Sequence, residues 1–143
     1  MRALAFALVF ASMPALAAPV PKELKTRPDA ERMQGVWDFE TYDDGGRTHK
    51  GTRWYFEKDK MYSGGTDTAD DKGWENGIVL RPEANPPEMD IVYTTGPVCQ
   101  GVYKFVGEEL HIAYVHGAVR PTDFASAPGK DVMVMKRGPD VKK

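Results

Sequence analysis

From residue 35 onward the chain is a succession of short runs in which apolar and polar side chains alternate, cut at near-even intervals by Gly, Asp and Pro. Alternation with a period of two marks a strand with one buried face, whereas a helix would repeat every 3.6 residues. Trp37, Phe39 and Thr41 alternate with Asp38 and Glu40, and Thr52, Trp54 and Phe56 with Arg53, Tyr55 and Glu57. Met61-Tyr62-Ser63, Gly77 to Leu80, and Met89, Ile91 and Tyr93 continue the series. Gly101 to Val106 and Leu110 to Val115 read as a hairpin around Gly107-Glu108-Glu109, with Tyr103 and Phe105 on the face of Leu110, Ile112 and Tyr114. Asp131 to Lys136 is the last run. Asp43-Asp44-Gly45-Gly46, Lys58-Asp59-Lys60 and Thr94-Thr95-Gly96-Pro97 are turn signals, and Arg81 to Pro87 is a Pro-rich connection. About eight short strands with no long amphipathic helix predict an all-β fold, an antiparallel barrel or strongly curved sheet.

The ends read differently. Arg2, the apolar stretch Leu4 to Phe10 and Ala15-Leu16-Ala17 have the layout of a secretory signal, too short to span a bilayer, with cleavage expected after Ala17. The protein is therefore expected to be exported, periplasmic or secreted. Residues 18–32 read as a flexible tether, because Pro19, Pro21 and Pro28 oppose a regular helix and the charges oppose a core. Pro28 to Gln34 has room for one helical turn. A single domain is expected over 33–138, with 139–143 as a tail. A net charge of −2 lacks the basic footprint of a nucleic-acid binder and the polybasic stretch of an anionic-membrane binder. No integral membrane segment is expected after signal cleavage. Cys99 is the only Cys, so no internal disulfide supports the fold. It reads as a buried, inert thiol, with a reactive or intermolecular thiol as the alternative.

Several segments carry a family resemblance. Gly35-Val36-Trp37 resembles the Gly-x-Trp of lipocalin-like barrels, in which a late Arg stacks on the Trp and closes one barrel end; Arg137 is the matching candidate. Asp44-Gly45-Gly46, Asn85-Pro86-Pro87-Glu88-Met89-Asp90-Ile91, Gly101-Val102-Tyr103, Leu110-His111-Ile112, Arg120-Pro121-Thr122-Asp123-Phe124 and Lys136-Arg137 come after it in order. Together they resemble a lipocalin-like domain family of unknown function, abundant in exported planctomycete proteins, across residues 33 to 137. The resemblance implies a lipocalin-like barrel and supplies no activity. Members often carry a Cys in the strand before Arg-Pro-Thr; here that strand reads Leu110-His111-Ile112-Ala113-Tyr114, so a thiol role does not transfer.

The chemistry on offer is sparse. Arg120, held beside Pro121, is a candidate for bidentate binding of a carboxylate or phosphate near the barrel mouth, or else a brace to an acid such as Asp123 or to loop carbonyls. Tyr103 and Trp74 complete the candidate ligand-binding set, Trp74 because it stands beside an Asp-rich turn, at an edge or cavity mouth. Trp37 and Arg137 are assigned structural roles, their stack worth roughly 0.5–2 kcal/mol. His111 and His116 lie five apart, poor geometry for one ion on a strand, and no metal or other cofactor is expected. Asp67, Asp70 and Asp71 do not fit a calcium loop. Ser63 and Ser126 stand outside Gly-x-Ser-x-Gly, and a Cys99–His111 pair across strands lacks a third group. The expectation is a non-enzymatic binding module for a small apolar or amphipathic molecule. The alternative is a structural or interaction domain of the cell envelope with a filled interior and a protein partner.

Overall fold

The computed structural model describes residues 27–44, 48–49, 52–64, 73–117 and 119–139. The expected signal at 1–17, most of the tether, Gly45-Gly46, the Asp67–Asp71 turn and residues 140–143 lie outside the described residues. A short helix, α1 (Asp29–Met33), precedes nine strands: β1 (Gly35–Asp44), β2 (Thr48–His49), β3 (Arg53–Glu57), β4 (Lys60–Gly64), β5 (Gly73–Arg81), β6 (Glu88–Tyr93), β7 (Val98–Val106), β8 (Glu109–Val115) and β9 (Lys130–Arg137). From β3 to β9 each strand pairs antiparallel with the next, and β1 pairs with both β3 and β9. Eight strands therefore close into one up-and-down barrel, consistent with a lipocalin-like fold. The two-residue β2 is a spur on Tyr42 and Asp43. Closure pairs both edges of the sheet, which would otherwise offer unsatisfied backbone groups to other chains.

Every barrel strand sends side chains into one cluster. Trp37 and Phe39 (β1), Trp54 and Phe56 (β3), Met61 (β4), Ile78 (β5), Met89 and Ile91 (β6), Tyr103 (β7), Leu110 and Ile112 (β8) and Met133 and Met135 (β9) are buried together, with Met33 from α1. The barrel interior is thus occupied by the chain's own large apolar side chains, as small barrels allow. In β7 and β8 the expected shared face is present, with Tyr103 opposite Ile112 and Phe105 opposite Leu110.

One expected alternation shifts. The β1–β9 register slips between Phe39 and Thr41, leaving Glu40 as the extra residue of a β-bulge. Beyond it the inward parity changes, so Thr41 is exposed while Tyr42 packs against the core and reaches the hydroxyl of Tyr114. A strict period of two across β1 would instead place Thr41 with Trp37 and Phe39.

The end where β1 begins is sealed. Residues 29–32, assigned to the tether by sequence, are helical here, and Met33 is buried. The Trp37 indole N–H donates to the Met33 carbonyl at 2.7 Å, and the Tyr103 hydroxyl donates to Asp29 Oδ2 at 3.0 Å. The Gln34 side chain donates to the Lys58 carbonyl at 3.1 Å and accepts from the Lys58 N–H at 2.5 Å, tying α1 to the β3–β4 turn. The Arg137 guanidinium lies 4.3 Å from the Trp37 ring centroid and donates to the carbonyls of Gln34 and Arg32. Gly35, at φ +100°, makes room for it: a Cβ there would meet Arg137 Nη1 at 3.0 Å. Arg32 in turn stacks on Phe105 at 3.9 Å.

Candidate functional site

The opposite end, the barrel mouth, is built from the end of β1, the start of β3, the end of β4, the start of β5, the end of β6, the start of β7, the end of β8 and the start of β9. Inward-facing positions change character here. Deep in the barrel they are Met, Ile, Leu and Phe with Trp37, Trp54 and Tyr103; at the mouth they are Tyr42, Ser63, Trp74, Asn76, Tyr93, Cys99, Tyr114 and Asp131. The period of two forces this: Trp74 and Asn76 share the parity of buried Ile78, Tyr93 that of Ile91, and Asp131 that of Met133.

One side of the mouth is a groove of about 350 Å³ lined by Ser63, Trp74, Glu75, Asn76, Tyr93, Thr94 and Thr95. Trp74 is 76% exposed, the largest exposed aromatic surface among the described residues. Its indole rests over Gly64, where φ is +77° and a Cβ would come within 2.9 Å of the ring, so the backbone beneath is bare and the ring lies against it. Asn76 is buried, its amide donating to the Trp74 carbonyl at 3.3 Å, and the Thr94 hydroxyl donates to the Glu75 carbonyl at 3.1 Å. Glu75 pairs with Lys60 at 2.5 Å and accepts from the Tyr62 hydroxyl at 3.2 Å, which ties the groove's outer wall to β4. The groove thus offers an aromatic face beside hydroxyl and amide groups.

Behind Tyr93 the mouth holds a chain of polar side chains. Cys99 Sγ lies 3.0 Å from His116 Nδ1, and His116 Nε2 lies 3.5 Å from Asp131 Oδ2. The Tyr42 hydroxyl donates to the same carboxylate oxygen at 3.1 Å and stands 3.4 Å from the Tyr114 hydroxyl. His116 is stacked parallel to Tyr93 at 6.2 Å between centroids and meets Tyr114 edge-on at 5.4 Å. Burial pushes the Cys99 thiol above its ordinary value, against the opposing pull of the Tyr93 hydrogen bond. Burial likewise raises Tyr42, Tyr93 and Tyr114, with the Asp131 charge adding to each. Cys99 and Asp131 occupy opposite nitrogens of one imidazole, so the three form a line and do not converge on a point where a metal would sit. Among the described residues no group of three His, Cys, Asp or Glu side chains could hold a metal ion.

The residues singled out in the sequence stand in separate places. Trp74 walls the mouth groove. Tyr103 is fully buried near the sealed end, its hydroxyl held by Asp29 and its ionisation pushed upward by burial and that hydrogen bond. Arg120 is on the outer wall and not at the mouth. The connection from β8 to β9 folds back over β6 and β7, whose even-numbered residues point outward. There the guanidinium meets Asp90 at 2.7 Å and Glu88 at 3.3 Å and donates to the Gly101 carbonyl at 2.6 Å. Arg81 reaches Asp90 from the other side at 2.8 Å. The brace expected for Arg120 thus uses Asp90 and Glu88; Asp123 pairs with Lys130 at 2.5 Å. His111 Nε2 lies 2.9 Å from Glu109, on the outer face. Sequence reasoning pairs Cys99 with His111, weighs His116 only as a metal ligand and does not single out Asp131. Extending the inward parity of β8 and β9 to their mouth ends is the signal that would find them.

No protein-family model, curated protein or solved structure matches the chain. The fold and its two ends define a class: a small, closed eight-stranded barrel, filled inside, sealed at one end by α1 and presenting an exposed tryptophan and histidine at the other. No helix among the described residues is long and apolar enough to cross a membrane.

Proposed function

We propose that this protein is an exported, lipocalin-like binding module that holds a small amphipathic ring compound at its mouth. The ligand class is a molecule with an apolar ring face and a hydroxylated edge, the chemistry of a saccharide or an aryl glycoside. The observation that carries the reading is Trp74, an indole laid on Gly64 with its outer surface bare beside a groove of about 350 Å³. Such a groove is within the size range of small-molecule sites, which combine an aromatic platform with a few polar groups that fix orientation. Ser63, Thr95 and Asn76 supply those polar groups here. The filled interior favours the rim over the barrel axis as the place of binding.

The test is a titration of the purified protein with a panel of simple saccharides and aryl glycosides, read by tryptophan fluorescence. The reading expects a saturable change with at least one compound and its loss in Trp74→Ala at unchanged stability. A panel without any saturable response overturns it. The filled interior also favours a second reading, a structural or interaction domain of the cell envelope, in which the Trp74 surface meets a protein partner.

A further inference from the structure

The Cys99, His116 and Asp131 line has no part in holding a ring compound in the groove. We propose that it makes Cys99 a nucleophilic thiol toward small hydroperoxides, with His116 as its base and Asp131 as the residue that positions the base.

The geometry sets the roles. Nδ1 of His116 faces the sulfur at 3.0 Å and Nε2 faces the Asp131 carboxylate at 3.5 Å. A carboxylate only accepts, and its charge beside Nε2 favours the neutral tautomer with hydrogen there, which leaves Nδ1 able to take a proton from the thiol. Asp131 is itself held by the Tyr42 hydroxyl at 3.1 Å. This is the order nucleophile, base, orienting acid that activates thiols and hydroxyls in general. The groove borders this line of residues: Tyr93 forms part of its wall and stacks on His116.

Access decides the substrate class. Cys99 is 0% exposed, whereas the His116 side chain is 52% exposed and lies between the sulfur and solvent. An acyl substrate cannot reach a sulfur so enclosed, whereas a molecule of two oxygen atoms needs only a small displacement of the half-exposed imidazole. Burial keeps the resting thiol protonated, so the proton must leave during the reaction. In the step, His116 Nδ1 takes the thiol proton and the sulfur electron pair attacks one oxygen of hydrogen peroxide. The O–O bond breaks, and the departing hydroxide takes the proton from His116 and leaves as water. Cys99 becomes a sulfenic acid, oxidised by two electrons, and the peroxide is reduced by two. As Cys99 is the only cysteine, no second thiol of this chain can condense with it, and an external thiol must restore it.

Removing the base and removing the lid predict opposite signs, which makes the proposal testable. The full-length protein is exposed to hydrogen peroxide, quenched with catalase, unfolded, and assayed for remaining thiol before and after reduction by dithiothreitol. Thiol loss in the folded wild type should be reversed by dithiothreitol. It should slow by about a hundredfold in His116→Asn, the scale of general-base catalysis. Added imidazole should restore much of the rate in His116→Gly. Asp131→Asn should slow the reaction and Asp131→Glu recover most of it. The tertiary circular dichroism of each variant confirms folding, and the Asn and Gly variants of His116 are alternatives if one fails. Faster thiol loss in either His116 variant, or slowing that imidazole does not relieve, would show a buried inert thiol under a structural lid and overturn the proposal.

Discussion

The two ends of the barrel use the same kinds of residue in opposite ways. At the sealed end a tryptophan, a tyrosine and an arginine are consumed by the fold. Trp37 is buried, its N–H held by Met33 and its face covered by Arg137, and the Tyr103 hydroxyl is held by Asp29. At the mouth, Trp74 is 76% exposed, and Tyr42, Tyr93 and Tyr114 surround a thiol, an imidazole and a carboxylate. The difference comes from how the chain covers each opening. At the sealed end α1 folds across it and supplies partners for every group just named. At the mouth the polar groups mostly meet one another and a groove.

That contrast predicts a gradient of stability effects. Trp37→Ala should be the most damaging change, lowering unfolding free energy by about 3–5 kcal/mol in denaturant titration. A loss below about 1 kcal/mol would mean that the sealed end does not organise the core. The next effect lies in alkaline solution. Burial raises Tyr42, Tyr93, Tyr103 and Tyr114 in the folded state. Below pH about 10 these hydroxyls are neutral in both states; above it the unfolded chain ionises first. Stability is therefore full below that pH and is lost as pH rises toward the folded values, visible as a falling denaturation midpoint. Three of the four hydroxyls belong to the mouth, so the alkaline loss should persist in Tyr103→Phe.

Smaller effects separate the ends further. Arg137→Met should cost about 1–2 kcal/mol, from the lost stack and carbonyl hydrogen bonds. Tyr103→Phe should cost about 1 kcal/mol by the same assay. Trp74→Ala, at the mouth, should change stability by less than about 0.5 kcal/mol while abolishing ligand response. A Trp74→Ala variant as damaged as Trp37→Ala would erase the distinction between the ends.

Much of the barrel is legible in periodicity. Strands near β3, β6, β7, β8 and β9 are visible because Trp54, Ile91, Tyr103, Ile112 and Met133 sit on uninterrupted alternation between turn residues. The β1 bulge is not, because one extra residue leaves composition unchanged and only moves Tyr42 inward in place of Thr41. Closure through β1 and β9 is a pairing of distant segments that local pattern does not encode. The Trp37–Arg137 stack is suggested by resemblance and is present at 4.3 Å. The mouth is less legible. Cys99, His116 and Asp131 are brought together by the register of β7, β8 and β9, and His116 lies one residue beyond the end of β8. Arg120 is visible as a constrained arginine, yet its partners Glu88 and Asp90 depend on the long β8–β9 connection folding back over the outer wall.

The most direct test of a sealed end and a working mouth is backbone amide NMR of the isotope-labelled protein with any compound that passes the fluorescence titration. Saturable shift changes should centre on Ser63, Trp74, Asn76, Tyr93 and Thr95. Changes centred instead on the cavity of about 130 Å³ beside Trp37, Phe105 and Arg137 would place binding at the sealed end and contradict a working mouth.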